Sequence, residues 1–140
     1  MAEKLPEKLK LEIVTPTRQL FEGEVDEVTV PGLEGYLGIL PGHAPLLSEL
    51  KVGVLSFRIG SDRKKLFCGW GFVEVLPDQV SVLAEAAELP EEIDVTRAGQ
   101  EKLEAEARLR AKAADTDFPE AINRLEAAIA RLEAAGLPSR

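Results

Sequence analysis

Residues 88–98 read Glu88-Leu89-Pro90-Glu91-Glu92-Ile93-Asp94-Val95-Thr96-Arg97-Ala98, and the chain changes character across them. Nine of the eleven glycines lie at or before Gly71, whereas eleven alanines fall between Glu101 and Ala135. Glycine, proline and β-branched residues favour turns and strands; Ala, Glu, Leu and Arg favour helix. The stretch therefore divides the 140 residues into a strand-rich part, 1–89, and a helical part, 90–140.

Upstream, apolar and polar residues alternate. Leu9, Leu11 and Ile13 are interleaved with Lys8, Lys10 and Glu12; Leu55, Phe57 and Ile59 with Ser56 and Arg58. Val28 and Val30 flank Thr29, Val73 and Val75 flank Glu74, and Val80 and Val82 flank Ser81. A period of two puts one face of a strand on a core and the other in water. Turn residues at Gly60-Ser61-Asp62 and Pro77-Asp78 separate the runs. Short strands this close together predict an antiparallel β-sandwich or barrel.

Downstream, the pattern predicts two helices. Asp94 is placed to cap the first, which should run to about Ala114, with Glu104/Arg108 and Glu106/Arg110 spaced to pair along its surface. Asp115-Thr116-Asp117 breaks it. The second helix has Asp117 as N-cap, Pro119 in the first turn, Glu120 at the capping-box position, and a stop at Gly136 and Pro138. The short break predicts an antiparallel hairpin. Phe118, Ile122, Leu125, Ile129 and Leu132 form a heptad seam, yet the first helix offers only Leu103 and Leu109 among alanines. A seam against alanine buries little area at roughly 25 cal/mol per Å², so the hairpin should be marginal and able to open. A partner with a better apolar groove would compete for the Ile122–Leu132 stripe.

Composition narrows the function classes. With 45% apolar and 30% charged residues the chain is globular in type, not disordered. A net charge of −8 repels phosphate backbones, so nucleic acid is a poor partner. The basic run Arg63-Lys64-Lys65 reads as a solvated hairpin end. Cys68 is the only cysteine, which rules out an internal disulfide and a Cys-rich zinc site and predicts a reducing compartment. Met1–Lys10 lacks the apolar core of a signal peptide, and no stretch approaches the roughly 20 apolar residues of a membrane span.

Four features could carry chemistry. The block from Pro31 to Leu47 packs four glycines and three prolines into seventeen residues. It lacks the Gly-Lys-Ser/Thr ending of a phosphate loop, leaving a conformationally fixed connection between strands or a rigid partner-binding surface. His43, the only histidine, has no metal or catalytic motif around it, and a loop or interface role outweighs catalysis. Cys68 and Trp70 share strand parity and are expected on one side, in the core. In the joint, Asp94 is an N-cap, but Arg97 in the first turn opposes the helix dipole unless it meets an acidic or phosphate partner, which keeps a ligand reading open.

These blocks resemble the epsilon-subunit family of bacterial-type rotary F-type ATP synthases. The resemblance rests on Glu34-Gly35-x-Leu37-Gly38-Ile39-x-Pro41-Gly42-His43-Ala44-Pro45-Leu46-Leu47, on Gly69-x-Gly71-x-Val73-Glu74-Val75 with Val80-Ser81-Val82-Leu83-Ala84, and on the alanine-rich tail. It implies a β-sandwich of about ten short strands followed by a two-helix hairpin. It also implies a non-catalytic rotor-stalk subunit of a proton-translocating complex at the cytoplasmic face of the membrane. The sandwich would bind the gamma subunit and the c-ring through Glu34, Tyr36, Leu40, Pro41, Gly42 and His43. The tail would extend toward the alpha/beta head and restrain ATP hydrolysis. No metal and no required cofactor is implied, but ATP is implied as a regulatory ligand: Ile93, Asp94, Arg97 and Ala98 match the family's nucleotide signature, with Glu88 upstream. Of two arginines that such members use in the second helix, Arg131 matches one. The other position holds Ala127, with Arg124 one turn away, and a missing charge-assisted phosphate contact is worth roughly 1.5–3 kcal/mol. Two rival classes are an adaptor with no enzyme complex and a small hydrolase built on His43.

Overall fold

The computed structural model describes residues 4–137. Eight strands come first: β1 Leu9–Val14, β2 Gln19–Val25, β3 Glu27–Gly32, β4 Gly35–Ile39, β5 Leu46–Leu50, β6 Gly53–Ile59, β7 Asp62–Leu76 and β8 Gln79–Glu88. A single 3-10 turn at Pro90–Glu92 leads into α1 Val95–Ala111 and α2 Phe118–Ala134.

The alternating residues other than Ile59, which is 38% exposed at the end of β6, build the core as predicted. Leu9, Leu11 and Ile13 are fully buried, and they meet Val28, Val30, Leu55, Phe57, Val73, Val75, Val80 and Val82 in one cluster. Burying a Val or Leu side chain is worth about 1.5–3 kcal/mol, so this cluster dominates the stability of the sandwich.

Three details differ from expectation. Eight strands do the work of about ten, because β7 runs for 15 residues and serves two partners. It pairs with β6 as far as Cys68 and with β5 from Gly71 onward, and pairs with β8 along most of its length. The sheet is mixed rather than wholly antiparallel, since β1 runs parallel to β8 and antiparallel to β2. Finally, Trp70 leaves the core. Cys68 is fully buried, but Trp70 has a positive φ of 26° and Gly71 a φ of 154°, so strict alternation fails where β7 changes partner. A Cβ on Gly71 would lie 2.1 Å from the Leu83 carbonyl oxygen, which is why only glycine fits there.

The Pro31–Leu47 block contains a strand of its own. β4 pairs with β3, Val28 opposite Ile39 and Gly32 opposite Gly35, and Ile39 enters the core. Beyond the Leu33–Glu34 turn, residues 40–45 form the block's loop. It is fixed by Gly42 N–H donating to the Pro77 carbonyl at 2.7 Å and by His43 N–H donating to the Leu40 carbonyl at 3.1 Å.

In the tail, Asp94 accepts from Arg97 N–H and Asp117 from Glu120 N–H, as N-caps should. α1 ends three residues before the expected Ala114, with Lys112 in the left-handed region. α2 ends in a Schellman arrangement: Gly136 N–H donates to the Glu133 carbonyl, and Leu137 N–H to the Leu132 carbonyl. The expected heptad seam does not pack as one. Phe118 and Ile122 are 40% and 44% exposed, while Ala121, Ala128, Ala130, Leu132 and Ala134 are buried. α2 must serve two neighbours, α1 on one side and β6–β7 on the other, and small side chains let both come close. Among the described residues, no helix is long and apolar enough to cross a membrane.

Candidate functional site

Two surfaces of the sandwich matter. The first is the outer face of β5, β7, β8 and β1. Register places Glu49, Phe72, Leu83 and Val14 side by side across the four strands. Phe72 and Leu83 point outward, where water-facing residues are expected, and Leu83 is 55% exposed. With Trp70 and Leu33 they line a groove of about 640 Å³. Exposed aromatic and aliphatic residues gathered like this mark a partner surface, and Trp is a frequent energetic anchor in such surfaces. Sequence reasoning missed this face. The available signal was a phenylalanine at water-side parity beside Val73.

Of the six residues expected to meet rotor partners, Leu40, Pro41, Gly42 and His43 gather at the loop end of β4, against the β7–β8 turn. His43 Nδ1 contacts the Ala44 carbonyl oxygen at 2.7 Å. Glu34 sits at the opposite end of β4, about 20 Å away at a strand rise of about 3.3 Å per residue. Tyr36 is near Glu34, and its hydroxyl accepts the Val54 N–H at 3.1 Å. The six therefore form two clusters, not one patch.

The second surface is the joint, where the helices meet the sandwich. Glu88, Asp94, Arg97, Ala98 and Arg131 line one polar cleft of about 190 Å³, together with Glu92 and Glu101. Sites for drug-sized ligands usually offer about 300–1,000 Å³, so a nucleotide would have to open this cleft. Both of its lining arginines already have carboxylate partners. Arg97 Nε donates to Glu101 at 2.8 Å, and Arg131 donates from Nε and Nη2 to Glu88 at 3.0 and 2.9 Å. Arg97 thus finds the acidic partner that its place in a first helical turn demanded. Two of the seven expected nucleotide residues lie elsewhere. Ile93 is buried against Val52, Val54 and Phe67 beneath the cleft, and Arg124 pairs with Glu120 and lines a crevice between the helices.

Electrostatics hold the joint in place. Arg18, in the β1–β2 turn, donates to both Glu92 carboxylate oxygens at 2.6 Å and to the Ala87 carbonyl at 3.3 Å. That pairing, helped by the Leu89 N–H, holds the Glu92 carboxyl at about 2. Nothing in the sequence announces a pair 74 residues apart. At the far end of the sandwich, Asp26 takes Lys8 and the Gly60 N–H, and both lower its pKa. Burial pushes the Cys68 thiol up to about 12, which removes it from nucleophilic chemistry at neutral pH. Among the described residues, no group of three or more His, Cys, Asp or Glu could hold a metal ion.

Comparison with known proteins covers both halves of the chain. The sequence profile of the ATP synthase delta/epsilon chain β-sandwich domain matches residues 8–90, and that of its long α-helix domain matches residues 91–136. An "ATP synthase epsilon chain 2" of Syntrophotalea carbinolica is 46% identical over 137 residues, 97% of this chain and 99% of that protein. An "ATP synthase epsilon chain" of Halalkalibacterium halodurans is 49% identical over 129 residues, 91% of this chain and 97% of that one. In the Euglena gracilis mitochondrial ATP synthase, one chain superposes with a TM-score of 0.81 at 24% identity, covering 95% of this chain and 84% of that chain. A chain of the Tetrahymena thermophila ATP synthase central stalk and c-ring gives a TM-score of 0.64 at 16% identity, covering 91% and 96%.

Proposed function

Because the chain belongs to the ATP synthase epsilon-chain family, we propose that it is a non-catalytic rotor-stalk subunit whose helical tail regulates ATP hydrolysis. Residues 1–89 act as the rotor-binding part and residues 90–140 as the regulatory part. It joins the gamma subunit to the c-ring of a proton-translocating complex, and the complex alone holds it at the cytoplasmic face of the membrane. The observation that carries the reading is the Trp70–Phe72–Leu83 face. A chain with a net charge of −8 keeps this apolar surface open, as a subunit with a permanent neighbour would. We assign that face to the foot of the gamma subunit and the Leu40–His43 loop to the c-ring.

Two experiments test the proposal. Phe72→Asp with Leu83→Asp should abolish stoichiometric co-purification with gamma while leaving the circular dichroism of the isolated chain unchanged. A retained complex would remove this face from the interface. Deleting residues 88–140 should raise ATP hydrolysis by the reconstituted complex, and unchanged hydrolysis would end the regulatory role of the tail.

ATP is the proposed regulatory ligand of the folded tail, favouring it by binding it more tightly than the extended one. Support comes from the convergence of Glu88, Asp94, Arg97, Ala98 and Arg131 on one cleft. The distance of Arg124 and the carboxylate partners of Arg97 and Arg131 make this a weak site. Isothermal titration should give an affinity no tighter than the millimolar range, about −4 kcal/mol. No heat at millimolar ATP would leave Asp94 and Arg97 as helix-start residues only.

A further inference from the structure

The joint and α2 are tied to the sandwich by different means. Residues 89–93 form a post. Leu89 N–H donates to Glu92 Oε1 at 2.8 Å, Glu92 N–H to the Leu89 carbonyl at 2.9 Å, and Ile93 N–H to the Pro90 carbonyl at 3.3 Å. Arg18 clamps Glu92 from the β1–β2 turn, and Ile93 is sunk among Val52, Val54 and Phe67. Beyond Ile93 the attachment thins. α1 packs chiefly on α2. α2 offers the strands only alanines in this cluster, Ala127, Ala130, Ala134 and Ala135, whose methyl groups bury little area. The exception is Arg131. Its guanidinium lies 4.2 Å above the Phe67 ring centre and also donates to Glu88, so one side chain grips β7 and the end of β8 together.

We infer that Arg131 is the latch of the folded tail, and that the tail swings from Ile93–Asp94, not from Pro90. Resting on the regulatory reading above, this moves the mechanical boundary of the tail four residues into the chain. The post stays with the sandwich when the hairpin leaves. It also means that closure requires no ligand: Glu88 already supplies the negative charge that Arg131 needs. Nucleotide therefore tunes a latch that holds without it.

The test is native-state hydrogen exchange on the isolated full-length chain without nucleotide. Arg131→Ala should speed exchange of the α2 amides, Phe118–Ala134, by about tenfold or more, because the cation–π contact and the half-buried ion pair are both lost. Exchange in β1, β8 and residues 89–93 should stay within about twofold. Arg131→Lys keeps the charge but not the planar stack and should fall between. Arg18→Ala should loosen residues 89–93, which separates post from latch. The latch is overturned if Arg131→Ala leaves α2 within about twofold of the native chain. The pivot is overturned if residues 89–93 loosen in Arg131→Ala as much as α2 does. Both outcomes are read on the isolated chain, so they are independent of whether truncation raises hydrolysis in the complex.

Discussion

The two halves of the molecule are built from different apolar stock. Leu9, Leu11, Ile13, Leu55 and Leu66 fill the sandwich and are essentially inaccessible to water. The hairpin buries mainly alanines, among them Ala98, Ala105, Ala121 and Ala128, and leaves Leu103 65% exposed. Burial free energy scales with the apolar area removed from water, so the sandwich is held by volume and the tail by a few directional contacts. Such a tail is cheap to detach, as the proposed regulatory role requires. Alanine faces provide close approach without a large penalty on leaving.

The sharpest break of this contrast is a cavity in the sandwich. Leu11→Ala should cost about 2–5 kcal/mol and lower the melting temperature of the whole chain, tail included, by calorimetry. Next is the partner switch in β7. Gly71→Ala forces a Cβ onto the Leu83 carbonyl at an unfavourable φ and should cost about 3 kcal/mol, measured by denaturant midpoint. A tail substitution should do less and act locally. Asp117→Ala removes the α2 N-cap and should cost about 1 kcal/mol, seen as fraying in the first turn of α2 with no change in sandwich exchange. The smallest effect is set by pH. The folded Glu92 sits at about 2, below its ordinary 4.5, so its anchoring is complete above 4.5 and is lost as pH falls toward 2. Chemical shifts of the Leu89 and Ile93 amides should stay flat from pH 8 to 5 and move only below about 4.5. Movement near pH 6 would mean that another group anchors the joint.

Much of the fold was legible because its signals are local. Period-two alternation found the inward residues of β1, β3, β6, β7 and β8, and the cap residues Asp94, Asp117 and Gly136 marked helix ends to within a few positions. The failures share a cause. Trp70 has the parity of a core residue and lies outside, because the backbone rotates where β7 exchanges β6 for β5. Phe118 and Ile122 have the spacing of a seam and lie largely in water, because α2 packs on two neighbours and not one. The site divides in the same way. Asp94 and Arg97 are close in sequence and were read together as a helix start, and the family resemblance added Glu88, Ala98 and Arg131, whereas Arg18 and Phe67 join the clamps only through folding.

The sequence by itself determined that strands precede two helices, and most of the inward residues of the core, because each depends on a few neighbouring side chains. Tertiary structure alone decided the parallel pairing of β1 with β8, the outward apolar face, and the two clamps made by Arg18 and Arg131. Those depend on which distant segments meet. At the joint this changes the picture most: composition divides the chain near Pro90, but Arg18 binds Glu92 to the sandwich, so the attachment thins only past Ile93.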